Sequence, residues 1–389
     1  MDSHREQVAD LTPVDGAAAL GPFDRRNARY GLPLLVAIVV LLLVGAWLVR
    51  NLSATDWNPT MLVAVAAEEG PSLGYSRALL GDSVENRPGR GHDGRFFFVQ
   101  ANDPWLLEPH RHAAVLDRPV YRSQRMLYPT LASGFGLLEP WGAVWGLLAV
   151  SVVTISAGTY ATALVARGMG ASAWWGLAFG FNIGVVSELL VGGGGHLGFA
   201  LVMFSIAAIQ RGRLGWSVAA LSGAVLAREV MLVATAGIVV WLWRQVGPKA
   251  ALIHAVVPGA VVAAWAMYVR SRIGWMSGLA EVEEIGWPFV GFVQALEFWP
   301  NRPLSFAVGV AVLALLAVFT LRFIRSPGSL VGYAAIGFVP LAVLLTLQVW
   351  FNYFDITRAV SPVITAFLLM AFAAPNRDHE APMEGTPSP

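Results

Sequence analysis

Long apolar runs dominate this chain, and short polar breaks separate them. The first starts at Leu32 and carries no charge before Val49. A stretch of that length is enough for one helix to cross a hydrocarbon core about 30 Å thick. Further runs follow at Trp141–Ala166, Ala173–Ser187, Leu197–Gln210, Leu214–Ala227, Val230–Trp243, Ala251–Val269, Pro303–Leu321, Ser329–Phe351 and Ala359–Ala374. The pattern predicts an all-α integral membrane protein with about ten transmembrane helices. One ambiguity is internal: Leu214–Trp243 could be a single helix with Arg228 and Glu229 in its middle.

Between the first two runs lies the one large polar region, residues 50–140. It is glycine-punctuated and aromatic, and it holds amphipathic patches such as Met61–Ala67. It predicts short helices at the membrane interface rather than an independent domain. Residues 30–374 then form one transmembrane domain. The tails, 1–29 and 375–389, have little apolar content to bury and are expected to be disordered. The first apolar run follows a polar segment with Arg25, Arg26 and Arg29, so it is expected to be a retained anchor rather than a cleaved signal.

Composition supports the membrane reading. Only 13% of the 389 residues are charged and mean hydropathy is +0.60, against about 25% charged residues in soluble domains. A net charge of +1 offers nothing to nucleic acid, and the absence of cysteine excludes thiolate chemistry, disulfides and cysteine–zinc sites. One lysine, Lys249, against 25 arginines, with abundant Ala, Gly, Val and Trp, fits a GC-rich bacterial genome.

Charge also predicts direction, because basic residues concentrate in short cytoplasmic segments. With ten spans and both termini cytoplasmic, the inner segments hold Arg5, Arg25, Arg26, Arg29, Arg167, Arg211, Arg213, Arg244, Lys249, Arg322, Arg325 and Arg377. The short outer segments hold only Arg228, Arg270, Arg272, Arg302 and Arg358. Merging Leu214–Trp243 into one span would reverse everything after it and move Arg244, Lys249, Arg322 and Arg325 outside. The split arrangement is therefore expected. Each half is only about 21 Å long, so Arg228 and Glu229 should lie in a dip within the outer leaflet, shielded by protein or water.

This topology sends the unusual polar residues to one leaflet. Asp93, Asp103, Asp117, Arg122 and Arg125 are in the outer loop. Glu188 ends the third span, and His196 follows "VGGGGH". Arg228 and Glu229 occupy the dip, and Asp355 and Arg358 the last outer turn. Charges bordering apolar spans cost several kcal/mol unless paired or functional. The glycine run Gly192–Gly195 lacks the strand and the Gly-Lys-Ser/Thr of a phosphate-cradling loop and is expected to be a flexible turn. Phe96–Phe98 is expected to pack at the interface, and His254 to be satisfied locally. "HRH" at His110–His112 is too closely spaced for one helix face.

The segment "HDGRFFFVQANDP" (His92–Pro104), followed by "LDRPVYRSQRMLYP" (Leu116–Pro129), resembles a bacterial branch of the GT-C superfamily of polyprenyl-phosphate-dependent membrane glycosyltransferases. "AREV" (Ala227–Val230) resembles that branch's Arg-Glu step, and "FDITRAVSP" (Phe354–Pro362) its late outer arginine. His92 stands where tyrosine is usual, and Met126 where isoleucine is. The resemblance implies a GT-C-like fold with a large extracytoplasmic loop after the first helix. It implies an inverting transfer from a polyprenyl-phosphate sugar to a glycan, lipid or protein acceptor in the envelope. Asp93 would be the base, and Arg228, Arg358, Arg122 and Arg125 would bind the donor phosphate. His92, Asp103, Glu188, His196, Glu229 and Asp355 would have supporting roles. A divalent cation shared by Asp93 and Asp103 is compatible with the resemblance, as is a role for Asp103 in holding the loop. A polysaccharide polymerase or ligase, a lipid-linked-sugar transporter or flippase, and a non-catalytic envelope scaffold are the rival readings.

Overall fold

The computed structural model describes residues 31–89, 91–136, 139–274 and 285–372. Both predicted tails lie outside them. The described residues are all-helical, apart from two isolated bridges at Ala67–Arg87 and Ile285–Leu345.

The chain opens with α1 (Gly31–Ser53). Six short helices follow within the predicted outer loop: α2 (Thr60–Val63), α3 (Ser72–Leu80), α4 (Gly94–Asn102), α5 (Pro109–Val115), α6 (Pro119–Arg122) and α7 (Leu127–Phe135). Next come α8 (Pro140–Gly168), α9 (Leu177–Gly180), α10 (Ile183–Leu190), α11 (Gly195–Ile209), α12 (Leu214–Ala227), α13 (Met231–Gln245), α14 (Pro248–Ile273) and α15 (Val290–Ala295). The chain ends with α16 (Pro303–Arg325), α17 (Leu330–Ile336), α18 (Phe338–Leu344), α19 (Leu347–Trp350), α20 (Tyr353–Ala359) and α21 (Ser361–Phe372).

Four helices, α1, α8, α14 and α16, are long and apolar enough to cross a membrane. Two bent pairs raise the number to six if each counts as one span. These are Ala173–Gly180 with α10, bent by 45°, and α20 with α21, bent by 61°. The other predicted spans fall on shorter apolar helices: α11, α12, α13 and the α17–α18 segment. The break between α12 and α13 falls at Arg228–Val230, as the split reading expected.

Helix α8 is the central post, with residues such as Val144, Leu147, Ile155 and Val165 fully buried. Helices α1, α14 and α16 surround the core and leave Leu34, Leu42, Leu252, Val256 and Leu304 more than half exposed. Apolar surface of this extent is what a helix presents to lipid rather than to water.

The outer-loop helices pack into the body rather than floating on it. Phe96, Phe97 and Phe98 are at most 4% exposed, which corrects the expectation of interfacial packing. Phe97 meets Tyr128 edge to face, and the Tyr128 hydroxyl bonds Leu147 O and Ser151 on α8. The Met61–Ala67 patch is likewise largely internal, with Val63 through Ala67 buried.

Candidate functional site

Backbone contact between three distant segments sets the site. Gly94 N donates to Val191 O at 3.2 Å. A Cβ on Gly94 would lie 1.7 Å from Val63 O, and one on Gly192 2.2 Å from the same oxygen. Only glycine permits these approaches. They press the start of α4 against the turn after α10, which brings Asp93 beside Glu188. The run Gly192–Gly195 is therefore tightly packed, which corrects its reading as a flexible turn. A Cβ on Gly195 would lie 2.3 Å from both Glu188 Oε1 and Arg228 Nη1.

A second close approach delivers Arg358. At the bend before α10, Asn182 uses its whole amide. Its oxygen accepts from Gly184 N at 2.9 Å, and its nitrogen donates to Ser361 O and Thr365 Oγ1. A Cβ on Gly184 would sit 2.1 Å from Thr357 O. The two bent pairs are thus locked together, with Glu188 on one facing Arg358 on the other.

Asp93 stands at the start of α4, where an aspartate would normally cap the helix. It makes no cap bond. Its Oδ1 instead accepts from Arg122 Nη1 at 3.1 Å and its Oδ2 from Arg358 Nη2 at 2.5 Å. Arg358 also donates Nη1 to Asp355 at 3.0 Å, and its Nε lies 3.1 Å from Glu188 Oε1 but outside hydrogen-bonding direction. Glu188 receives Arg228 Nη1 on the same oxygen. The result is a chain of alternating charge, Asp93–Arg358–Glu188–Arg228, ending at the break between α12 and α13.

Two further pairs flank it. Arg122 donates Nε and Nη2 to Asp117 at 2.9 and 3.0 Å, and its guanidinium lies 4.2 Å from the Phe96 ring centroid. Arg125 grips Glu229 through Nε and Nη2 and bonds the Tyr121 hydroxyl. Burial opposes ionisation of Asp93, yet Arg358, Arg122 and Arg125 together hold its carboxyl well below the usual range. For His92 burial leads, then the charge of Arg87, and the imidazole is pushed down and stays neutral.

One cavity of about 750 Å³ adjoins this charge cluster. Asp93, Arg122, Arg125, Glu188, His196, Arg228, Glu229, Asp355 and Arg358 all face it. Its lining also includes the apolar side chains of Val185, Phe199, Met231, Val262, Phe338 and Leu341. His92 and Asp103 do not line it. Asp103 accepts from Leu107 N and Glu108 N at 2.7 and 3.0 Å, so it shapes the loop. It is not paired with Asp93, and among the described residues no three His, Asp or Glu converge on a position for a metal ion.

Sequence reasoning missed Tyr121, which lines the cavity and lies within 4.5 to 5.7 Å of three guanidinium groups, those of Arg118, Arg122 and Arg125. The spacing 118, 121, 122, 125 is a single helical face and could have found it. His254 is satisfied locally as expected, by Ala250 O and Ser217. His112 bonds Ser123 at 3.1 Å, near Asp103, but only about 10 Å³ of space adjoins them, so no substrate reaches that trio. Comparison of the chain with family models, curated proteins and solved structures returns no match.

Proposed function

We propose that this protein is an inverting glycosyltransferase of GT-C type. It moves a sugar from a polyprenyl-phosphate donor to an envelope acceptor at the outer face of a bacterial plasma membrane. In this reading ten helices or helix pairs span the bilayer, both termini are cytoplasmic, and residues 50–140 cap the site from outside.

One observation carries the reading. A single cavity joins a carboxylate, Asp93, to the guanidinium groups of Arg358 and Arg228, and it is lined by apolar side chains as well. A lipid-linked sugar phosphate needs both halves. The acceptor hydroxyl oxygen attacks the anomeric carbon as the bond from that carbon to the phosphate oxygen breaks. The hydroxyl proton goes to Asp93, and the prenyl phosphate leaves with its electron pair. The leaving group requires charge neutralisation more than protonation. Arg228 suits it best, because Nη1 alone is bonded to Glu188 while Nε is buried without a partner. Arg358 is filled by carboxylates at rest, so it positions Asp93 and Glu188. A carboxylate held this acidic is a weak base, so its contribution rests on charge and placement.

Purified protein incubated with labelled polyprenyl-phosphate monosaccharides should consume the lipid-bound label, and Asp93→Asn should abolish that while inserting normally. Wild-type turnover by Asp93→Asn at equal abundance would remove Asp93 from the mechanism. The bent and broken helices around the cavity also suit a lipid-linked-sugar transporter. Translocation in sealed vesicles without donor cleavage would favour that. A chain-joining product would favour a polymerase or ligase.

A further inference from the structure

Most charged groups of the site meet an opposite charge, although Arg228 Nε and Arg358 Nε have no hydrogen-bond partner. Asp93, Arg122, Arg125, Glu188 and Arg358 each bond one or more opposite charges. His196 does not. It is 1% exposed, and neither Nδ1 nor Nε2 has a hydrogen-bond partner. It lines the cavity in the first turn of α11, with Tyr128 edge to face at 5.8 Å. Arg228 lines the same cavity, and its buried Nε is equally without a partner. A buried imidazole left unpaired is costly to a fold, and an apolar side chain would pack there at no such cost.

We infer that His196 and Arg228 together form the seat of the donor's phosphate, His196 donating a ring N–H to one phosphoryl oxygen and Arg228 to another. The inference rests on the proposed use of a prenyl-phosphate donor and adds a phosphate ligand to it. The pattern of ion pairs favours this seat over the other arginines. Five carboxylates (Asp93, Asp117, Glu188, Glu229, Asp355) already face four paired arginines. A phosphate placed on Arg358 or Arg122 would have to displace one of those acids. At His196 and the free edge of Arg228 it displaces nothing. Arg358 and Glu188 stand between Asp93 and Arg228 in the chain of ion pairs.

The test uses the full-length protein in detergent and measures binding of geranylgeranyl phosphate, geranylgeraniol and inorganic phosphate to wild type and to His196→Phe, which keeps a ring against Tyr128. Wild type should prefer the phosphate ester over the alcohol. His196→Phe should lose roughly tenfold or more in affinity for the ester and little for the alcohol. Its thermal midpoint should be equal or higher, since it removes two unpaired nitrogens. Competition by inorganic phosphate in wild type, weakened in the variant, would show that the seat reads phosphate whatever carries it. If His196→Phe instead lowers both midpoint and affinity, His196→Asn and His196→Gln decide, because each restores one nitrogen. Recovery by either supports the seat, and recovery by neither overturns it. Unchanged ester affinity in His196→Phe overturns this inference alone. Wild type that does not prefer ester to alcohol overturns the donor reading with it.

Discussion

Asp93 shows how a site residue departs from its local preference. Its neighbours, a glycine and then an apolar helix, make it a natural cap, yet its carboxylate turns to Arg122 and Arg358. Because its acidity is raised in the folded state, Asp93 stays ionised until the pH falls below the ordinary carboxylate range. Its contribution to stability is present above the unfolded value of about 3.9 and is lost as the pH falls through the lower folded value. The kcat/KM profile for sugar transfer should therefore show no acid limb from Asp93 between about pH 5 and 7. Arg122→Gln removes one of the charges that hold it down, so an acid limb should move up toward that window. An unchanged profile would separate Asp93 from Arg122.

Arg125 and Glu229 behave differently. Both face the cavity, but their mutual bonds use most of Arg125, whose side chain is 7% exposed. Arg125→Leu leaves Glu229 without its partner and should cost about 3 kcal/mol in detergent unfolding. Adding Glu229→Leu should recover most of it. A simple sum of the two single losses would exclude coupling.

Elements set the site through close backbone approaches. Gly94→Ala would place a Cβ on Val63 O, and Gly184→Ala one on Thr357 O. Each should lower the thermal midpoint and abolish transfer, although neither removes a charged group. Asn182→Ala strands the carbonyl and N–H groups that its amide serves and should cost roughly 1–3 kcal/mol. A variant with wild-type stability would show that the two bent pairs are held by packing alone. The bends matter because α10 and α20 each carry a charged residue into the cavity. Glu188 on α10 and Arg358 on α20 both line it.

Across the whole molecule, the body separates a charged cavity near one end from basic residues at the other, where Arg322 bonds Met370 O and Arg244 the Tyr333 hydroxyl. The proposed topology puts the cavity outside. With no native cysteine, single substitutions report sidedness directly. A membrane-impermeant maleimide should label Ser83→Cys on intact cells and Ser326→Cys only after permeabilisation; both positions are exposed. The reverse pattern would invert the protein and place the cavity in the cytoplasm.

Much of this was legible in the chain itself. Apolar periodicity and the scarcity of charge determined an all-helical membrane protein, because backbone polar groups in lipid must be satisfied within a helix. The charged pair Arg228–Glu229 marked the break between α12 and α13, because two charges are too costly mid-span. Those same rules singled out the acids and arginines that border the spans. They could not say that Arg358 is filled by carboxylates while Arg228 keeps a free edge, that Asp103 serves its own loop, or that Phe96–Phe98 and the glycine run lie inside. Those outcomes depend on which backbones touch. Val63, Gly94 and Gly192 are far apart along the polypeptide, and local patterning carries no term for their contact. Only tertiary packing decides it, and with it which charge meets which.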